Sequence, residues 1–322
     1  PSIFALSGAT VVTDASNKSL MTVAQPISNG FTCSTCHDEA NWPNRYFSAK
    51  VKFPSGKEAW FANADANLCL NCHQGRQSTA SVDGFLATVK GADGKPVDLT
   101  KQATKILGLK DPKAPQSGDN APLIGFRNPH YFAAGASLMG NEVQGAYQYA
   151  NQKYSGRTVH PNPVDNCVAC HNAHTLELEL EKCATCHGEV KSVEDLKKWR
   201  KADDTLDYDG DGTVEGYGEE IQGMVDALYA QIQATATKAK YPIVYDAHNY
   251  PYFLNDLNGN GQVDPDEVSR STVMATSTLS FYGLPITSNG SPRILAPSLT
   301  TSPTSTRCCM IALRTWAGTL RR

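Results

Sequence analysis

Long apolar runs are missing from this chain of 322 residues. None approaches the roughly 20 residues needed to cross a bilayer as a helix, so no membrane span is expected. Charge of one sign is missing too. Lys and Arg number 29 against 32 Asp and Glu, for a formal net charge of −3. With no basic patch, the balance argues against a nucleic-acid partner. Material for a side-chain core is thin, at 40% hydrophobic and 8% aromatic residues. Histidine (8) and methionine (5) are scarce. Cysteine is not, at 10, yet the placing of eight of them excludes a disulfide framework.

Those eight fall into four copies of Cys-x-x-Cys-His. They are Cys33-Ser-Thr-Cys36-His37, Cys69-Leu-Asn-Cys72-His73, Cys167-Val-Ala-Cys170-His171 and Cys183-Ala-Thr-Cys186-His187. The spacing is that of covalent c-type haem attachment. The two thiols add to the haem vinyl groups as thioethers, and the adjoining His meets iron from one face. One copy is compatible with chance, but four in a chain this poor in histidine are a strong signal. Four covalently bound haems c are expected, with His37, His73, His171 and His187 as proximal ligands.

Four histidines remain outside the motifs: His130, His160, His174 and His248. Four irons need four second ligands, so supply matches demand and bis-histidine, six-coordinate haems are inferred. The bland reading of any one of these residues is a solvated or core histidine. His174 carries a constraint. Three residues of extended chain separate it from His171 and reach only about 10–11 Å, too short to span one haem from face to face. It therefore serves a neighbouring haem, unless it only hydrogen-bonds a propionate. Two His ligands poise an iron below a His/Met site, and Met139 is the methionine to check as a substitute ligand.

Glycine (25) and proline (18) are plentiful and periodic stretches are few. The expected fold is mostly irregular, with short α-helices wrapped around four c-type haems and little β-structure. Residues 1–200 form the tetrahaem-binding region. Residues 201–270 form a helical region with EF-hand-like loops that also supplies a haem ligand. Residues 271–322 are a Ser/Thr-rich tail suited to subunit docking, containing the vicinal pair Cys308-Cys309. A strand-like patch precedes the first motif, and residues 88–122 are expected to be a loop excursion. Ser192-Val-Glu-Asp195 predicts a capping box opening a helix through Trp199. A longer helix is predicted from Glu219 to about Ala239, with Ile221, Met224, Val225, Leu228 and Ile232 as its core stripe. Aromatics between the first two motifs, among them Trp42, Phe53, Trp60 and Phe61, suit either haem faces or a small core. The chain begins at Pro1 without a charged leader, so any signal peptide is expected to be gone.

Asp256, Asn258, Asn260, Gln262, Asp264 and Glu267 fall at the ligand positions of an EF-hand loop, with Gly261 at its sharp turn. Calcium is therefore expected there. Asp207, Asp209, Asp211 and Thr213 begin a second such loop, but position 12 is Gly218. Glu219, one residue on, is the candidate closing ligand. The bland reading of both is a pair of acidic, Gly-rich turns. Calcium would hold a rigid clamp near His248 rather than sense a signal.

The four motifs, the Cys-x-x-Cys-His-x-x-His run and the spare histidines resemble extracytoplasmic multihaem, tetrahaem c-type cytochromes, over about residues 30–270. The resemblance implies closely stacked haems passing electrons over distance, redox partner proteins or extracellular acceptors, and a periplasmic, cell-surface or extracellular location. Some tetrahaem members polymerise into extracellular filaments, in which an iron can take its second His from the next identical subunit. The leading expectation is an electron carrier and not an enzyme. The alternative is a multihaem redox enzyme with one open haem, reducing a nitrogen oxyanion or oxidising hydroxylamine.

Overall fold

A computed structural model of the chain describes residues 11–13, 19–21, 31–90, 94–95, 133–145, 147–148, 153–157, 160, 164–238, 242–249 and 252–268. His130, most of the excursion at 88–122, and the tail from residue 269 onward lie outside them. Among the described residues the elements are helices and three two-stranded antiparallel pairs. The first pair, β1 (Val11–Thr13) and β2 (Ser19–Met21), aligns Val12 with Leu20.

One core forms around the helix that carries the second motif. Asn63 caps this helix, α2 (Ala64–His73), by accepting from Asp65 N at 3.0 Å, and Asp65 suits the positive end of the helix dipole. Ala66 and Leu70 lie one turn apart on the inward face. They pack with Phe53 and Phe61, which flank the hairpin β3 (Val51–Lys52) and β4 (Glu58–Ala59). Buried Asn67 fastens this layer: its Oδ1 accepts from Phe61 N at 2.6 Å, and its amide donates to Phe61 O at 3.2 Å. Met139 and Val143 close the cluster from α4 (Ala134–Met139) and the turn after it. Gly135 permits this, since a Cβ there would lie 2.7 Å from Leu70 Cδ2 and 2.9 Å from His73 O. The backbone of α4 thus abuts the histidine end of α2.

A second core lies under α8 (Tyr217–Lys238), which starts two residues before the predicted point because Glu219 N and Glu220 N both donate to Gly216 O at 3.0 Å. Ile221, Met224, Leu228 and Ile232 are buried along one face, and Val225 is half-buried beside them. The helix packs on β5 (Ile243–Tyr245), which pairs with β6 (Phe253–Asn255), and on the short helix α7 (Val193–Lys197). Each fully buried aliphatic side chain contributes about 1.5–3 kcal/mol. Ser192 and Asp195 make the reciprocal capping box of α7, with Ser192 N donating to Asp195 Oδ2 at 2.9 Å. That helix stops at Lys197, so Trp199 follows it instead of ending it.

Candidate functional site

The first and third motifs are built alike. Cys33–Cys36 (α1) and Cys167–Cys170 (α5) are each a single helical turn. Each ends when its histidine N–H donates back to the first cysteine carbonyl, at 2.8 Å for His37 and 2.9 Å for His171. Both histidines then turn extended, with φ −101° and −97°. The chain loops and returns, so that Tyr46 N reaches Cys36 O and Glu179 N reaches Cys170 O, each at 2.9 Å. Inside each loop a backbone carbonyl meets the imidazole. His37 Nδ1 lies 2.8 Å from Pro43 O, and His171 Nδ1 lies 3.1 Å from Leu176 O. Such a contact assigns the proton to Nδ1 and leaves the Nε2 lone pair free for a metal.

The second and fourth motifs instead end longer helices, α2 and α6 (Leu180–His187), with the histidine as last residue. The four motifs adjoin in a row. Arg45, in the loop after the first, is ion-paired with Asp65 at the start of α2. The Cys69 thiol hydrogen-bonds Cys167, which pulls Cys69 down to about 7 and pushes Cys167 up. Burial, and then the charge of Cys183, raises Cys170. No disulfide joins these eight thiols, which are half-buried or exposed.

Two pairs of histidines face each other. The rings of His37 and His174 are parallel to within 2°, with centres 6.3 Å apart. The rings of His160 and His187 stand 6.1 Å apart at 73°. A metal–imidazole bond of about 2 Å plus about 1.1 Å to the ring centre places two trans imidazoles about 6.2 Å apart. Both ring separations match that distance. Burial lowers the pKa of His160 and of His187, the latter also through the charge of His160, which favours the uncharged imidazole. Apolar side chains beside the motifs are exposed: Phe31, Trp42 and Phe47 are 72%, 61% and 78% accessible. They form exposed apolar surface beside the motifs. Phe53 and Phe61, by contrast, belong to the protein core.

His174 is positioned by a tight turn in which Asn172 Oδ1 accepts from His174 N at 2.9 Å and Thr175 N at 3.1 Å. His248 is exposed on a turn held by Asp246 Oδ1, which accepts from its N–H at 2.8 Å. Met139, the methionine to check as a substitute ligand, is fully buried and packs in the first core.

The two acidic loops share one hydrogen-bond pattern. Asp256 Oδ1 accepts from Gly259 N at 2.6 Å and its Oδ2 from Gly261 N at 2.8 Å. Asp207 repeats this with Gly210 N at 2.6 Å and Gly212 N at 2.9 Å. Four of these glycines have φ between 74° and 95°, a region glycine enters without strain. Glu267 closes its loop, accepting from Leu257 N at 2.7 Å and Asp264 N at 3.0 Å. The matching residue in the first loop is Glu220, which accepts from Tyr208 N at 2.7 Å and Glu215 N at 3.3 Å. This corrects the expected Glu219, whose carboxylate turns back to cap Gly216 N at 3.1 Å. Asp207, Asp209 and Glu220 bring one oxygen each within 4.8 Å of one another. Burial, and then the fields of Asp211 and Glu220 against a hydrogen bond from Asp211, raises Asp209. Arg200 pairs with Glu220 at 2.6 Å. Glu220, Arg200 and Trp199 carried no spacing signal, since each acts through an insertion or a tertiary contact.

No family model matches the chain, and no solved structure matches it. Two similar relatives are the C-type polyheme cytochromes OmcB and OmcC of Geobacter sulfurreducens. OmcB is 25% identical over 249 residues, covering 69% of this chain and 26% of the relative. OmcC is 26% identical over 248 residues, covering 68% and 24%. The chain thus spans about a quarter of the length of the curated relatives it matches. Together with the four Cys-x-x-Cys-His motifs, this similarity supports reading the chain as a multihaem c-type cytochrome.

Proposed function

We propose that the chain is a bis-histidine tetrahaem electron carrier. The observation that carries this is the separation of facing imidazoles, 6.3 Å for His37/His174 and 6.1 Å for His160/His187. Each separation suits two trans ligands on one iron, and neither pair draws both rings from the same motif. His37 and His187 supply the proximal imidazoles, and His174 and His160 the distal ones. His73 and His171 are the remaining proximal ligands, with His130 and His248 as their candidate partners. Haem with two axial imidazoles supplies one-electron transfer without an open position for a reactant. The protein's part is to hold the four motifs in one row, to set each imidazole tautomer, and to cover the macrocycle edges with Phe31, Trp42 and Phe47.

The proposal includes calcium in the loops ending at Glu220 and Glu267, an extracytoplasmic location, and redox partner proteins or extracellular acceptors. It also includes assembly of identical subunits into a filament, which exposed His248 supports by being reachable from a neighbouring molecule. Pyridine haemochrome quantification of the purified chain should give four haems per polypeptide, with an electron paramagnetic resonance spectrum that is low-spin throughout. A high-spin ferric signal in the resting protein would instead favour the redox-enzyme reading. Negative-stain images showing monomers alone at high concentration would remove the filament.

A further inference from the structure

The motif histidines do not have equivalent surroundings. His37 and His171 each place Nδ1 against a backbone carbonyl, at 2.8 and 3.1 Å. His187 does not. Its Nδ1 is buried and, among the described residues, without a hydrogen-bond partner. Trp199 packs against the His187 ring in a T-shaped contact, with ring centres 4.5 Å apart and planes at 77°. Trp199 is itself fixed from behind. Its carbonyl accepts from Tyr217 N at 3.1 Å, its ring contacts Tyr217 at 6.0 Å, and Gly216 lets the two segments meet, because a Cβ there would lie 2.3 Å from Lys197 O.

A carbonyl that accepts the Nδ1 proton increases the electron-donating power of a metal-bound imidazole, and this outer contact is one of the levers on a haem potential. An imidazole denied that acceptor donates less, and its iron is easier to reduce. We propose that Trp199 is a positioning residue that holds His187 without an acceptor, so that the haem on His187 has a higher reduction potential than those on His37 and His171. The electron then rests preferentially at the His187 end of the row, which gives the relay a direction. The inference rests on the bis-histidine reading of His160/His187.

The test is a spectroelectrochemical titration of the full haem-loaded chain beside two variants. Trp199→Gln places an amide acceptor behind the ring. It should lower one of the four reduction steps by about tenfold in equilibrium constant, about 59 mV for one electron, with the low-spin spectrum kept. Trp199→Phe keeps an apolar ring and should leave all four steps in place. A second measurement uses the unsubstituted protein. In the reduced, diamagnetic state the His187 Nδ1 proton should resonate upfield of those of His37 and His171. A Gln variant that stays low-spin with every step unmoved overturns the proposal, as does a downfield, hydrogen-bonded His187 proton. An unsubstituted chain lacking the low-spin spectrum overturns the ligand reading itself, and the inference with it.

Discussion

The imidazole of His174 lies parallel to that of His37, with 6.3 Å between ring centres, although the two belong to different motif loops. The tight turn at Asn172 sends His174 away from His171, three residues before it, and toward the first motif. His174→Ala should therefore leave all four haems covalently attached while converting the one at Cys33, Cys36 and His37 to high spin. Electron paramagnetic resonance gives the spin count, and peptide mapping of a ligand-trapped haem gives its position. Conversion of the His171 haem instead would contradict the pairing.

Glu220 and Glu219 are neighbours with opposite roles, and substitution separates them. Glu220 is 1% exposed and ion-paired with Arg200, itself 12% exposed. Glu220→Gln leaves a buried guanidinium partly uncompensated, which should cost about 3 kcal/mol. It should also weaken calcium binding measured by calorimetry. Glu219→Gln should change urea stability by less than about 0.5 kcal/mol.

Alkaline pH should reveal Tyr217. Burial, then its hydrogen bond to Asp204 at 2.6 Å, raises this phenol from 10.0 to about 12. A folded-state value above the unfolded one means the contribution is complete below pH 10 and is lost between about pH 10 and 12. The denaturation midpoint should fall across that window in the unsubstituted chain. Tyr217→Phe should start lower and lose less there.

Met224 is fully buried on the stripe of α8 facing β5. Met224→Ala should destabilise the chain by about 2–5 kcal/mol through lost contact and a residual cavity. The haem spectrum should not change, because α8 approaches the fourth motif through Tyr217 at its first turn, two turns from Met224. A shifted Soret band would show that the second core bears on the haems directly.

Local signals were legible where a short window contains both partners. The Ser192/Asp195 box opens a helix, the five-residue stripe of α8 packs inward, and the loop from Asp256 to Glu267 closes on its twelfth residue. In each case covalent spacing fixes the contact. The facing imidazoles could be counted from composition but not paired, since pairing depends on where loops return. Chain length keeps His174 from spanning a haem held by His171, and the turn at Asn172 holds its backbone close to that motif. Glu219 and Glu220 both lie just past position 12, and spacing alone does not choose between them, because the first loop inserts residues before its closing acid. Trp199 escaped notice because an aromatic after a helix end looks the same in sequence whether it meets solvent or an imidazole.

Arg200 carries one further consequence. Its guanidinium donates to the carbonyls of Leu206 and Glu215 as well as to Glu220. The first acidic loop therefore brings its own counter-charge, seated behind the carboxylates from a different stretch of chain. A loop so provided has its carboxylates offset from within the chain, whatever else comes to sit among them.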